Sequence, residues 1–342
     1  MKKMESGNSL ESNSLEDIQF YSSHIHLYKA AGSKATQTDR RKALLKAVKD
    51  RHNASIDEKR GITELFSDTE TNDEEEPMEG VCEGARRRRR KYADKLMLSE
   101  YFIERPDDLE HNWIFKLCPL GVRNLVVAHN RTTKAYNKNG VLQSEFESLL
   151  PGGAGNKCGS KFTILDCIFS PTTSVYYIID ILAWNSFSLV NCSTEFRFFF
   201  LKSKLEENHD ITQKTKRHRY PFLDVIGRPA QLNLIEDVLS HFMENENEEK
   251  LDGVLFYHSE VDYRGGCTPL VGWLKPYMVP EILGIPVAAE YMSEKPENYT
   301  SLKDRVEKMK TAYSKTKTHK PRREKRIKDV EMVNIVDDLE LD

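Results

Sequence analysis

The stretch Cys267-Thr-Pro-Leu-Val-Gly-Trp-Leu-Lys-Pro-Tyr-Met-Val279 sets one tryptophan, Trp273, after a glycine and before a Lys-Pro pair in an otherwise apolar run. Pro269 and Pro276 bound the run. Proline adds no donor to a sheet ladder, so the middle reads as a short strand with stiff exits. A tryptophan there either fills a core or offers a flat ring to something flat, such as a nucleobase. The rest of the chain decides between the two.

Working outward, strand-like runs rich in β-branched and aromatic residues follow one another: Trp113–Leu117, Asn124–Ala128, Phe162–Leu165, Ser174–Leu182, Arg197–Leu201 and Val254–His258. Asn139-Gly140 and the glycine-rich segment after Pro151 supply turn signals between them. Helical patterns cover Ala93–Phe102 and Leu232–Phe242. Strands in series with few helices predict a mostly antiparallel α+β domain over residues 92–290.

The charge sits outside that domain. The 342 residues carry 51 Lys and Arg against 54 Asp and Glu, a net charge of -3 that conceals blocks of both signs. Residues 1–37 are polar and rich in Ser, Asn and Glu, as expected of a disordered tail. Within them Leu10, Leu15, Ile18 and Phe20 form a spaced apolar set in an acidic context. Such a set either lies in a partner's hydrophobic groove, as nuclear export signals do, or belongs to an unstructured tail. Residues 38–66 form a basic helical region. Thr38 or Asp39 is placed to cap a helix whose stripe is Leu44, Leu45 and Val48, and Ser55-Ile-Asp-Glu58 begins a second segment with a capping-box pattern. Arg40, Arg41, Lys42, Lys46, Lys49 and Arg51 cover the remaining surface. So narrow a stripe buries too little to fold alone, and the helix calls for an acidic partner, nucleic acid or protein. Residues 67–91 turn from acidic to the basic run Arg86–Lys91, a charged linker whose arginines suit either a nuclear localisation signal or an RNA contact. Residues 291–342 form a second charged, largely disordered tail.

Six cysteines (82, 118, 158, 167, 192 and 267) are scattered without a CxxC pair, and no second ligand pair follows His24 and His26. Neither a zinc site nor a disulfide framework is expected, which suits a reducing compartment. The N-terminus lacks the apolar core of a signal peptide, and no run approaches a membrane span, which points to an intracellular soluble protein.

Three motifs resemble the nucleotidyltransferase fold of mRNA capping enzymes and ligases: Asp252-Gly-Val-Leu-Phe256, Trp273-Leu-Lys-Pro276 and Ile164-Leu-Asp-Cys167. An enzyme of that fold needs a lysine nucleophile in K-x-D-G and carboxylates for Mg²⁺. In motif order the lysine belongs in Cys118-Pro-Leu-Gly-Val-Arg123, where Cys118 replaces it and Leu120 replaces the aspartate. The glutamate expected beside Ile164–Cys167 is missing too. A literal Lys250-Leu-Asp-Gly253 lies too late in the domain and overlaps the Asp252–Phe256 strand. An active RNA guanylyltransferase using Lys250 is therefore the alternative reading, beside a general basic RNA-binding protein.

A closer resemblance is to the snurportin family of import adaptors. Tyr92–Glu100, Ser148–Gly153, Thr163–Cys167, Thr194–Phe198 and Thr268–Val279 carry it. The resemblance implies a non-catalytic domain that binds the 2,2,7-trimethylguanosine cap of spliceosomal U snRNAs, with no cofactor and no metal. It also implies an N-terminal helix that binds importin-β, a nuclear export receptor as a further partner, and shuttling between cytoplasm and nucleus. N7-methylguanine is cationic, so an indole face suits it by stacking and cation–π attraction. Carried over by position, Trp273 stacks on the cap base, Leu98 and Ser99 contact its edge, and Tyr101 stands at the position of a second stacking ring. Gly121, Val122 and Arg123 line the pocket, and Lys138 joins Arg123 near the phosphates. Arg40, Arg41, Lys42, Lys46, Arg51 and Arg60 are the implied importin-β contacts. Tyr101 and Val122 depart from the family pattern, which has tryptophan and lysine there.

Overall fold

Two sheets carry the domain: the first and last strands of the chain build one, and the consecutive strands between them build the other. The computed structural model describes residues 36–59, 90–154, 161–216, 218–244, 249–297, 299–304 and 306–307. The first sheet has the order β1 (Met97–Tyr101), β12 (Gly266–Leu274), β11 (Leu251–His258), β2 (Trp113–Pro119) and β10 (Arg228–Pro229). The second runs β5 (Leu142–Phe146), β4 (Thr132–Tyr136), β3 (Val122–His129), β6 (Phe162–Ser170), β7 (Val175–Trp184) and β8 (Phe187–Ser188), with β9 (Phe222–Asp224) added to β7. All pairings are antiparallel except β1 with β12 and β7 with β9. The expected α+β class with mostly antiparallel sheets is what the chain adopts.

Three apolar layers result from the alternation of side chains across the strands. Leu125, Val127 and Ile164 of one sheet meet Leu255, Tyr257 and Val271 of the other in the layer between them. The outer face of the first sheet buries Phe115, Val254 and Phe256, with Leu109 of the short helix α2 (Leu109–Asn112), beneath helix α4 (Leu232–Glu244). The outer face of the second buries Leu165, Ile178 and Ile181 against Leu201 and Leu205 of helix α3 (Thr194–Glu207).

Four expectations are corrected. Residues 97–101, expected as the end of a helix, form β1, because Met97–Ser99 pair in parallel with Gly266–Thr268 across most of the domain sequence. Arg197–Leu201, expected as a strand, lies in α3. Ser193 caps that helix by accepting from the Phe196 amide at 3.4 Å, and Thr194, Arg197, Phe198, Leu201 and Leu205 turn inward with helical period. The N-terminal helix α1 (Gln37–Lys59) runs unbroken through Ser55, and its cap is Thr36. The Thr36 hydroxyl accepts from the Asp39 amide at 3.1 Å while the Asp39 carboxylate accepts from the Thr36 amide at 3.2 Å, a reciprocal capping box. Finally, the core extends past residue 290: Tyr291, Tyr299, Leu302 and Val306 are buried beside Tyr277 and Leu283. Residues 1–35, 60–89 and 308–342, among them Leu10, Leu15, Ile18, Phe20 and Arg60, lie outside the described residues.

Candidate functional site

Trp273 lies in β12 between Tyr101 of β1 and Leu255 of β11. It is half-buried and packs against both the layer between the sheets and the layer outside the first sheet. Gly253 explains how the ring is seated. A Cβ there would stand 2.4 Å from Trp273 Cζ2, so the indole rests on bare β11 backbone. Gly272 does the same on behalf of Phe102, whose Cε1 would be 2.0 Å from a Cβ. Glycines on two adjacent strands, β11 and β12, thus make room for two rings. Gly253→Ala forces the indole to shift, and overpacking of this kind costs roughly 1–3 kcal/mol. Thermal unfolding and the near-ultraviolet circular dichroism of tryptophan should both change.

Beside the ring, the Asp252 carboxylate and Lys275 ammonium form a close ion pair, with Lys275 Nζ 5.9 Å from the centre of the indole. One residue type of each charge, half-covered, therefore flanks the aromatic face. Cys118 lies on β2 directly across from Gly253 and is fully buried. Burial, with the Asp252 charge adding to it, pushes its thiol up to about 12. The group at the position where the ligase-type nucleophile belongs is thus a protonated, enclosed thiol. Lys250 is half-exposed and paired with Glu294 at 2.5 Å. The hydrogen bond and charge of Glu294 hold its ammonium above the ordinary value, the reverse of what a lysine nucleophile needs.

Arg123, expected at the phosphates, faces a carboxylate instead. It donates to Asp166 through Nε at 3.0 Å and Nη2 at 2.7 Å, and to the Met97 carbonyl at 2.6 Å. Asp166 also accepts from the Tyr263 hydroxyl at 2.7 Å, and that hydroxyl accepts from the Met97 amide at 3.1 Å. Burial works against the guanidinium charge, but the Asp166 carboxylate outweighs it and keeps Arg123 protonated. Arg123 accordingly ties β3, β6 and the start of β1 together, with a quarter of its side chain exposed.

The other expected site residues lie on β1, at the β2–β3 turn and on the β4–β5 hairpin. Gly121 passes so close to β6 that a Cβ would stand 2.5 Å from the Phe169 carbonyl oxygen, which is why glycine occupies the β2–β3 turn. Val122 after it is exposed, as is Leu120. Leu98 is half-buried and Ser99 buried on β1, whose Ser99 carbonyl accepts from the Cys267 thiol at 3.4 Å. The Tyr101 ring is 1% exposed within the outer core and offers no face for stacking in this arrangement. Lys138 is exposed on the β4–β5 hairpin, which docks on the approach to β1: its carbonyl accepts from the Asp94 amide at 3.0 Å. No group of metal-ligating side chains occurs among the described residues. None of the described helices is long and apolar enough to cross a membrane.

Sequence reasoning missed Gly253 as the seat of Trp273, although the Asp-Gly spacing within a strand is a legible signal for close approach. It also missed Glu100, Pro269 and Asp262, which receive the basic helix: Arg40 meets Glu100 at 2.6 and 2.7 Å, Arg41 donates to the Pro269 carbonyl at 3.0 Å, and Arg51 reaches Asp262 at 3.2 Å.

Fold and site together define an α+β domain with a half-buried tryptophan on an inner strand of its first sheet and no amine at the expected nucleophile position. The sequence model for the family "Snurportin1, m3G cap-binding domain" matches residues 95–276, more than half of the chain. The chain belongs to that family and carries its m3G cap-binding domain. Among solved structures it is similar to the ligase domain from M. tuberculosis LigD, at 13% identity and a TM-score of 0.37 over 53% of this chain and 58% of that one. A Lig E DNA ligase matches at 12% identity and a TM-score of 0.34, over 54% of this chain and 69% of that one. The chain spans less than two thirds of the LigD structure, and neither likeness bears on function.

Proposed function

We propose that the protein is a non-catalytic nuclear import adaptor that binds the 2,2,7-trimethylguanosine cap of spliceosomal U snRNAs and links the particle to importin-β. The observation that carries the reading is the half-buried Trp273 packed against Gly253 inside the matched cap-binding domain. A cationic methylated guanine gains from an indole face by stacking and cation–π attraction. Methyl groups on N2 remove its donors, so selectivity rests on room and on the absence of an acceptor at that edge. Leu98 and Ser99 adjoin the ring's strand, and the exposed Lys138 on the neighbouring hairpin serves the phosphates as a point charge. Arg123, with its charge already met by Asp166, contributes chiefly by holding β1.

The basic face of α1 supplies the importin-β contacts Arg40, Arg41, Lys42, Lys46 and Arg51, with Arg60 beyond the described helix; charge complementarity sets on-rate and specificity there. Leu10, Leu15, Ile18 and Phe20 serve an export receptor that returns the empty adaptor to the cytoplasm. The protonated Cys118 thiol and the Glu294-paired Lys250 argue against guanylyl transfer. Incubation with labelled GTP and Mg²⁺ tests that point. No covalent label is expected; a label that survives denaturation and disappears in Lys250→Ala would replace the adaptor reading with an enzyme.

A further inference from the structure

The helix that the reading above assigns to an acidic receptor is already occupied. Its first turns lie on the edge strand β1 and on β12. The Arg40 guanidinium makes a two-pronged pair with Glu100, and the two side chains are 12% and 6% exposed. Gln37 Nε2 donates to the Tyr101 carbonyl at 3.0 Å. Arg41 is buried, its guanidinium 4.9 Å from the centre of the Phe102 ring and 5.3 Å from that of Trp113. Farther along, Arg51 meets Asp262 at 3.2 Å and Lys49 meets Glu260 at 3.4 Å. Lys42 and Lys46 point to solvent. Three of the five described receptor-facing cations are thus held by the chain's own cap-binding domain.

We propose that this contact is an intramolecular mask: the cap-binding domain holds Arg40 and Arg41 of its own N-terminal helix, and an acidic receptor binds only after the helix leaves that surface. The inference rests on the receptor reading of the helix. Its physical basis is that the same guanidinium cannot face Glu100 and a receptor carboxylate at once. The balance is also poised for exchange. Arg41 is satisfied by a carbonyl and by the Gln37 amide oxygen rather than by a carboxylate, and burial draws its pKa down to about 10. Desolvation of that charge opposes docking, while the exposed outer pairs at Lys49 and Arg51 contribute little. A surface that presents carboxylates to Arg41 therefore has an advantage over the domain's own carbonyl. Once undocked, a helix with so narrow an apolar stripe frays in water, so docking is visible in its amide exchange.

The test uses the full chain and Glu100→Gln, which keeps the shape of the side chain and removes its charge, with importin-β as the probe. Gln37→Ala is the second variant, since it loosens the helix and leaves every residue of the cap-binding domain in place. Hydrogen exchange of residues 40–51 should be slow in the wild type and faster in both variants. Affinity for importin-β should rise about tenfold in Glu100→Gln, within the usual range of coupling between sites, and by less in Gln37→Ala. Fast exchange of the helix in the wild type would overturn the docking. Faster exchange in the variants with unchanged receptor affinity would overturn the mask while leaving the receptor reading in place. Binding by neither form would overturn the receptor reading, and the mask with it.

Discussion

Asp180→Ala should cost the domain about 3–5 kcal/mol, the largest loss of stability expected from any single truncation here. Asp180 of β7 and Arg197 of α3 are both fully buried and joined by two bonds of 2.8 Å. The guanidinium also donates to the carbonyls of Val261 and Cys192 at 2.8 and 2.7 Å and to the Thr194 hydroxyl at 3.2 Å. Asp180 in turn accepts from the Ile181 amide at 2.8 Å. Truncating the carboxylate leaves a charged guanidinium in an interior that water does not reach. At about 2–4 °C per kcal/mol for a domain of this size, the midpoint of thermal unfolding should fall by roughly 10 °C. Arg197→Met should be comparably harmful, because it strands the carboxylate. The double variant should cost less than the two losses added together, since with both charges removed no uncompensated ion remains. Additive losses would show that the two groups act independently, contrary to their geometry.

Trp273→Ala should reduce affinity for a trimethylguanosine cap about 10–100-fold, the equivalent of roughly 1–3 kcal/mol of base stacking. Because the ring also packs against two apolar layers, alanine will lower stability too. Trp273→Phe separates the effects: it retains a face and most of the packing, so it should recover part of the binding. Calorimetric titration with a cap dinucleotide, alongside thermal melts of each variant, distinguishes loss of the ligand contact from loss of the fold. Affinity that survives Trp273→Ala would remove the indole from the site.

The sequence made much of the fold legible because local pattern and tertiary role agreed. Phe162–Leu165 and Val254–His258 are apolar runs that become buried strands, and Leu232–Phe242 shows the period of a helix with one covered face. Where the two disagreed, long-range pairing won. Met97–Tyr101 has a composition that suits a helix, yet its partner is a strand roughly 170 residues later in the chain, which no local window contains. Arg197-Phe-Phe-Phe-Leu201 has the residues of a strand, but Ser193 caps it as a helix and the buried Asp180 draws Arg197 inward. The candidate site was legible as motifs and not as geometry. Trp273 and Gly121 stood out from their neighbours in the chain, while the backbone seat at Gly253 appears only when β11 and β12 lie side by side. Arg123 was placed near the phosphates by positional resemblance; Asp166, within a motif already singled out, proves to be its ion-pair partner. The helix's contact with Glu100 was beyond reach for the same reason, since complementary charges 60 positions apart carry no mark of their pairing.

Recognition of the trimethylated cap through Trp273 is what the proposed function requires above all. Its most direct test is titration of the full chain with trimethylated and monomethylated cap dinucleotides, followed by tryptophan fluorescence. Quenching by the trimethylated cap at concentrations at least about tenfold below those needed for the monomethylated one is the predicted result. Equal response to the two caps, or none to either, would contradict it.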